Sequence, residues 1–174
     1  MVDEGRRGIF ASLSSAIKGE KRDRKIPVRP PYNDDPDLFH RLCPECEEKP
    51  CARVCEEEII LIEDDGTPSL TFEKKGCTFC DACLEACEPG VLSDKRLHYV
   101  NAEVEIDVLK CMAWHQSICS SCKDPCLDDA IRFLGLFRPE ISQESCTACG
   151  WCIPVCPTDA ITIVSKPATK GEVE

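Results

Sequence analysis

The chain has 174 residues, a formal net charge of −11 and 16 cysteines. A body this acidic repels nucleic acid and anionic lipid, and no apolar run approaches the ~18 residues of a membrane-spanning helix. No Ser-His-Asp set, phosphate-binding glycine loop or pair of substrate acids stands out, so we expect a protein that is not an enzyme.

Residues 1–40 differ from the rest of the chain by their basic side chains. Apolar residues recur there at helical intervals and predict a short amphipathic helix over about residues 8–18. They are Ile9, Phe10, Leu13, Ala16 and Ile17. Residues 25–36 contain four prolines and predict an extended tether, with a partly disordered tail as the alternative. No cleavage site follows Arg6 and Arg7, and thiol ligands suit a reducing compartment, so we expect a cytoplasmic protein.

The sixteen cysteines form four groups of four, here called motifs 1 to 4 in chain order. Each motif ends with three residues between its third and fourth cysteine. Motifs 2 and 4 read C-x2-C-x2-C-x3-C, the spacing of bacterial-type [4Fe–4S] ligation. The motifs are Cys43, Cys46, Cys51, Cys55; Cys77, Cys80, Cys83, Cys87; Cys111, Cys119, Cys122, Cys126; and Cys146, Cys149, Cys152, Cys156.

This spacing has a geometric reason. A cubane needs one thiolate for each of four iron corners, and a C-x2-C-x2-C loop wraps three of them. The fourth cysteine lies about one helical turn further on and, in two-cluster ferredoxins, ligates the neighbouring cluster. Two motifs therefore make two clusters by exchanging their last cysteines. We predict four [4Fe–4S] clusters and a role in electron transfer.

Short β runs between the motifs favour pairing motif 1 with motif 2 and motif 3 with motif 4. Residues 58–62 and 69–72 predict one hairpin, residues 130–134 and 139–142 predict another, and residues 157–164 lead into a closing strand. Each half thus repeats the order Cys loop, helix, hairpin, Cys loop. The predicted ligand sets are Cys43, Cys46, Cys51, Cys87; Cys77, Cys80, Cys83, Cys55; Cys111, Cys119, Cys122, Cys156; and Cys146, Cys149, Cys152, Cys126.

We therefore predict an α+β fold with two tandem bacterial-type 2[4Fe–4S] ferredoxin modules. Short hairpins and helices would surround cluster-filled cores, preceded by the basic N-terminal segment. The predicted divisions are a basic segment and tether at 1–40, a first module at 41–105, a second module at 106–166 and a tail at 167–174.

Several alternatives stay open. Zinc binding and disulfide formation are two other uses of many cysteines. Zinc sites use two C-x2-C pairs separated by a longer gap, and disulfide frameworks belong to small secreted chains. Fewer than four clusters would follow if the irregular motifs 1 and 3 were incomplete. Nested pairing would couple motif 1 with motif 4 and motif 2 with motif 3. Trp151, inside motif 4, either shields a cluster from water or is an ordinary packing residue.

The chain resembles the NapF family, ferredoxin-type accessory proteins of periplasmic nitrate reductase systems. Four features carry the resemblance over nearly the whole length: residues 5–9 (GRRGI), residues 29–32 (RPPY), motif 2 with Thr78, Phe79, Asp81 and Ala82, and the seven residues between Cys111 and Cys119. Two departures stand out. Motif 1 has four residues between Cys46 and Cys51, and proline directly follows the fourth cysteine only in motif 4.

The resemblance implies a cytoplasmic iron–sulfur protein that docks on the molybdenum-containing catalytic subunit of a nitrate reductase and assists its maturation. Residues 1–36 would provide the docking segment. A general electron carrier or an electron-transfer subunit of another oxidoreductase is the alternative, with another redox protein as partner. A purely structural iron–sulfur scaffold is a third possibility.

Overall fold

The computed structural model describes residues 26–166, in which short helices and strands alternate with the cysteine loops. The helices are α1 (Pro36–Leu42), α2 (Pro50–Arg53), α3 (Ala82–Glu85) and a 3₁₀ helix at Met112–His115. The strands are β1 (Ile60–Ile62), β2 (Pro68–Leu70), β3 (Ala102–Ile106), β4 (Ile131–Leu134), β5 (Phe137–Ile141) and β6 (Ile161–Ser165). No helix of this part of the chain is long and apolar enough to cross a membrane. The predicted helix over 8–18 and the tail at 167–174 lie outside the described residues.

The strands form three antiparallel two-stranded sheets. Strands β1 and β2 pair with Ile60 opposite Leu70, and β4 pairs with β5 with Ile131 opposite Ile141. Both predicted hairpins are therefore confirmed, within a few residues of the predicted limits. The closing strand is also confirmed as β6. Short helices with antiparallel strands make this an α+β fold.

Strand β3, which was not predicted, pairs with β6 along its whole length. Ala102 lies opposite Ser165 and Ile106 opposite Ile161. The side chains of β3 alternate between buried and exposed, with Ala102 and Val104 facing the core and Glu103 and Glu105 facing outward. The alternation follows from the two-residue period of a strand, so each glutamate can stay in water while its neighbour is buried.

Residues 28–32 pack on the first hairpin instead of forming a free tether. The Val28 carbonyl accepts a hydrogen bond from the Leu70 N–H at 2.8 Å. The Arg29 guanidinium donates to the Thr67 hydroxyl and the Pro68 carbonyl, both at 2.7 Å. Tyr32 is almost fully buried. The tether prediction is wrong for this stretch because its apolar and hydrogen-bonding groups find partners that proline content alone does not reveal.

The hydrophobic core is shared by the first half (residues 26–99) and the second half (residues 100–166). One continuous cluster of buried side chains contains Ile59 and Phe72 from the first half with Val104, Ile131 and Ile161 from the second. Partly buried cysteines of all four motifs border it. A smaller cluster around Tyr32 and Phe39 consists entirely of residues of the first half. The two halves are therefore packed against each other through apolar contacts.

The two halves interlock through an aromatic ring placed over a glycine on each side. A Cβ atom on Gly76 would lie 2.5 Å from Cγ of Trp151, and one on Gly150 would lie 2.2 Å from Cδ1 of Phe72. Both separations are far below van der Waals contact, so only glycine allows the two backbones to approach so closely. Gly150 also has a φ of +83°, which disfavours any residue with a Cβ.

We predict that Gly150→Ala destabilises the protein much more than Gly135→Ala. Both glycines have left-handed φ values, +83° and +72°, but nothing lies within 4 Å of a Cβ on Gly135. The shared backbone strain costs about 1–2 kcal/mol, and the clash with Phe72 should add about 1–3 kcal/mol. Denaturant unfolding under anaerobic conditions measures both. Equal losses for the two variants would show that the interlock contributes nothing.

Candidate metal centres

The two regular motifs share an unusual backbone conformation. In motif 2, Phe79 and Asp81 have φ values of +52° and +63°; in motif 4, Ala148 and Gly150 have +54° and +83°. These are equivalent positions, immediately before and after the second cysteine. Alternating right- and left-handed residues turn successive N–H groups toward one concave side, which makes a binding site for anions such as the sulfurs of an iron–sulfur cluster. The short loops therefore present N–H donors as well as thiols.

A second repeated feature follows the fourth cysteine of every motif. The residue three positions later has a left-handed φ in all four cases, and its N–H donates to the carbonyl of that cysteine at 3.0–3.3 Å. These residues are Glu58, Gly90, Asp129 and Asp159. In two motifs an N–H beyond the turn also points at sulfur, from Leu92 to Cys87 at 3.4 Å and from Ala160 to Cys156 at 3.3 Å. The turn brings the chain back onto the fourth thiol.

The thiols of the described residues gather into four groups of four, and the spaces beside these groups are here called hollows 1 to 4. Hollow 2 is lined by Cys55, Cys77, Cys80 and Cys83; hollow 3 by Cys111, Cys119, Cys122 and Cys156; and hollow 4 by Cys126, Cys146, Cys149 and Cys152. The group of hollow 1 is defined by proximity: Cys43, Cys46, Cys51 and Cys87 lie close enough to interact electrostatically. The structure thus brings together the members of each predicted set, and their role as ligands stays a prediction.

The walls of the hollows are apolar, and this changes the acidity of the thiols. Burial raises the pKa of Cys43, Cys77 and Cys122 to about 11, and that of Cys83 and Cys152 to about 12. Neighbouring thiols raise these pKa values further, because several negative charges would share one hollow. Without a cation such groups stay neutral at pH 7, and iron bound to them would hold them as thiolates.

The thiols border these hollows as free groups. All sixteen cysteines are free. Between residues 26 and 166, no three His, Cys, Asp or Glu side chains converge closely enough to hold a single metal ion. His98 and His115 are not among the residues that line hollows 2, 3 and 4: His115 is exposed, and half-exposed His98 stands 3.6 Å from the Asp81 carboxylate.

The irregular motifs differ from the regular ones by local insertions. In motif 3 the extra residues form the 3₁₀ helix Met112–His115, which Gln116 ends with a φ of +63°. The indole N–H of Trp114 donates to the Pro139 carbonyl of β5 at 3.3 Å, and Arg138 stacks 5.7 Å above its ring. The long third loop is therefore an ordered helical turn on the second hairpin.

In motif 1 the insertion ends at the start of a helix. Lys49 is left-handed, with a φ of +46°, and Pro50 opens α2, on which Cys51 is the second residue. The ammonium group of Lys49 donates to the Cys43 carbonyl across the loop. Glu47 and Glu48 stay exposed. The two extra residues thus bulge into solvent while the third cysteine keeps its place beside Cys43.

Comparisons with known proteins agree with this geometry. A family model described as "4Fe-4S binding domain" matches residues 139–162, which contain the end of β5, motif 4 and the start of β6. The "Ferredoxin-type protein NapF" of Escherichia coli strain K12 is 31% identical over 165 residues, covering 92% of this chain and 94% of that protein. The NapF protein of Haemophilus influenzae is also 31% identical, over 90% of this chain and 89% of its own length. This chain belongs to the NapF family of ferredoxin-type proteins.

Membership of the NapF family makes the chain an iron–sulfur protein with a [4Fe–4S] binding domain. More distant relatives carry a similar description. The "Ferredoxin-type protein NapG" of Escherichia coli strain K12 is 23% identical, over 85% of this chain and 74% of its own length. The matched family segment covers only motif 4, whereas the NapF alignments run through nearly the whole chain and so include all four motifs.

Proposed function

We propose that this chain is a cytoplasmic iron–sulfur accessory protein with four [4Fe–4S] clusters. It would dock on the molybdenum-containing catalytic subunit of a periplasmic nitrate reductase and assist its maturation, with electron transfer. The observation that carries the cluster assignment is the gathering of sixteen free cysteines into four groups of four thiols, three of which line a cavity. The resemblance to NapF-type accessory proteins supports the nitrate reductase catalytic subunit as the protein that this chain assists, here called its client.

The residues around each hollow fit a [4Fe–4S] cluster. Three thiols come from one loop and the fourth from a distant loop, as ligand exchange between two motifs requires. Backbone N–H groups point at Cys77 and Cys87 from Phe79 and Leu92, both at 3.4 Å. When bound, the clusters supply one-electron chemistry. The protein's own contribution is to hold the thiols, donate hydrogen bonds to sulfur and keep water from the apolar walls.

A direct electron carrier is the second candidate, and one observation favours it. The backbones of motifs 2 and 4 are hydrogen bonded, with the Cys77 N–H donating to the Cys149 carbonyl at 2.6 Å. A contact of this kind between the halves suits continuous electron flow. The two candidates differ in when the protein is needed, since a carrier is required throughout turnover and an accessory protein only until its client is mature.

Anaerobically purified protein should contain about 16 iron and 16 inorganic sulfide per chain. It should show a broad cysteinate-to-iron absorbance that bleaches on reduction. Metal and sulfide analysis together with the visible spectrum make the test. A colourless protein loaded with zinc would contradict the proposal, and about 12 iron would indicate that one hollow, with hollow 1 as the first suspect, does not hold a cluster.

Substitution of exchanged cysteines should test the proposed ligand sets. Cys55→Ala should damage the same cluster as Cys77→Ala, because both thiols line hollow 2. Cys87→Ala, although it lies in the same motif as Cys77, should damage the cluster of hollow 1 instead. Paramagnetic resonance spectra of the reduced variants distinguish the clusters. Loss of different clusters in Cys55→Ala and Cys77→Ala would contradict the sequential pairing.

Two truncations should separate docking from cluster binding. Removal of residues 1–25 should leave the clusters intact and lower the amount of active nitrate reductase in cells, since it deletes most of the proposed docking segment 1–36 but none of residues 28–32, which pack on the first hairpin. Removal of residues 1–36 should also reduce the iron content of the first half, because it deletes Arg29 and buried Tyr32. Iron analysis and reductase assays of cells carrying each form make the comparison. Full client activity after removal of residues 1–25 would contradict a docking role for that segment.

A further inference from the structure

Two cysteine loops join the two halves of the chain through backbone and side-chain hydrogen bonds. The Cys77 N–H donates to the Cys149 carbonyl at 2.6 Å, and the indole N–H of Trp151 donates back to the Cys77 carbonyl at 3.1 Å. Cys77 lines hollow 2 and Cys149 lines hollow 4. A hydrogen-bonded backbone path therefore runs directly from a thiol of one hollow to a thiol of the other.

Side-chain packing holds this contact at short range. Gly76 precedes Cys77 and is buried beneath the Trp151 ring, where a Cβ would also lie 2.6 Å from the Trp151 backbone nitrogen. Gly150 is buried against Phe72 from the opposite side. The residues on both sides of the contact thus allow an approach that any larger residue would block. A further hydrogen bond, from the Val100 N–H to the Thr147 carbonyl at 2.9 Å, ties motif 4 to the residue at which the second half begins.

The other neighbouring hollows are joined by short covalent spans. Cys51 of hollow 1 and Cys55 of hollow 2 lie about one helical turn apart in the sequence. Cys87 of hollow 1 and Cys83 of hollow 2 are spaced in the same way. In the second half, the pairs Cys122 with Cys126 and Cys152 with Cys156 join hollows 3 and 4 likewise. Each half therefore contributes two adjacent hollows, and the halves meet at hollows 2 and 4.

We propose that the contact of Cys77, Cys149 and Trp151 is the electron path between the two halves, and that the hollows are arranged in the order 1, 2, 4, 3. This inference rests on the proposed presence of clusters in the hollows. Trp151 is a positioning residue, since its indole N–H holds the carbonyl of Cys77 while its ring covers Gly76. Hollows 1 and 3, each of which takes three of its four thiols from an irregular motif, form the ends of the row.

Two double variants of the full chain test the order. Cys46→Ala with Cys119→Ala leaves hollows 2 and 4 complete, and Cys80→Ala with Cys149→Ala leaves hollows 1 and 3 complete. Each should retain about 8 iron and 8 sulfide. After reduction, the first variant should give paramagnetic resonance signals broadened or split by mutual magnetic interaction, and the second should give two independent signals.

The outcomes separate this inference from the proposed function. Absence of iron and sulfide from the wild-type chain would overturn the proposed function and this inference with it. A variant with about 8 iron and complete hollows 2 and 4 but two independent signals would overturn the order alone. Equal interaction in both variants would also overturn it, because hollows 1 and 3 would then be as close as hollows 2 and 4.

A single substitution tests the tryptophan without disturbing any thiol. Trp151→Phe keeps an aromatic ring over Gly76 and removes the N–H that binds the Cys77 carbonyl. Trp114→Phe is the matched control, because Trp114 is also half-buried in the second half and also donates to a backbone carbonyl, that of Pro139. Both variants should keep the wild-type iron content.

Only Trp151→Phe should shift the reduction potential of the hollow 2 cluster and weaken its magnetic interaction with hollow 4. Spectra and potentials of Trp151→Phe identical to those of the wild type would overturn the positioning role. An equal shift in Trp114→Phe would do the same, since it would show a general response to loss of an indole. This test remains decisive if the double variants fail to fold.

Discussion

The structure depends on one constraint: each group of four thiols combines three from one loop with a fourth from a loop far away in the sequence. Cys87 must reach Cys43, and Cys156 must reach Cys111, before either hollow is complete. Closing loops of this length costs conformational entropy, which the short strands and small helices cannot offset by themselves. Neutral, buried thiols attract one another only weakly, so they do little to hold the two loops together. Metal binding is then coupled to folding, because bound iron would join the two loops.

The repeated turn after every fourth cysteine follows from this constraint. A chain that delivers its last thiol to a distant loop must reverse at once so that the next strand or loop can return to the core. A left-handed residue three positions later makes this reversal in a single step, and glycine or aspartate fills the position in three of four cases. Both residues tolerate the conformation better than most. Glu58, in motif 1, is the exception.

Cysteine spacing predicted which three thiols each loop contributes, because loop geometry is local, and the β runs between the motifs predicted which loop brings the fourth thiol; the role of these thiols as ligands stays a prediction. Short runs of β-forming residues on either side of turn residues likewise predicted the two hairpins. Strand β3 could have been found from the alternation of its glutamates with apolar residues, but its partner β6 is about sixty residues away. The packing of Arg29 on Thr67 and Pro68 had no sequence signal, since a proline-rich stretch looks the same whether it is free or docked. The approach of Gly76 to Trp151 also has no sequence signal, because a glycine and a tryptophan distant in the sequence acquire meaning only from the tertiary contact.

The positions of the irregular motifs follow from the room that the fold leaves around each loop. Motifs 2 and 4 face each other, and a buried glycine on each side leaves no space for an added residue. Motifs 1 and 3 lie away from that contact, with Glu47, Glu48 and His115 exposed. An insertion there can extend into solvent, as in motif 1, or fold into a helical turn on a neighbouring strand, as in motif 3. The C-x2-C-x2-C spacing is therefore kept in the two loops where the halves meet, and it varies in the two loops where additional chain can be accommodated without moving a thiol.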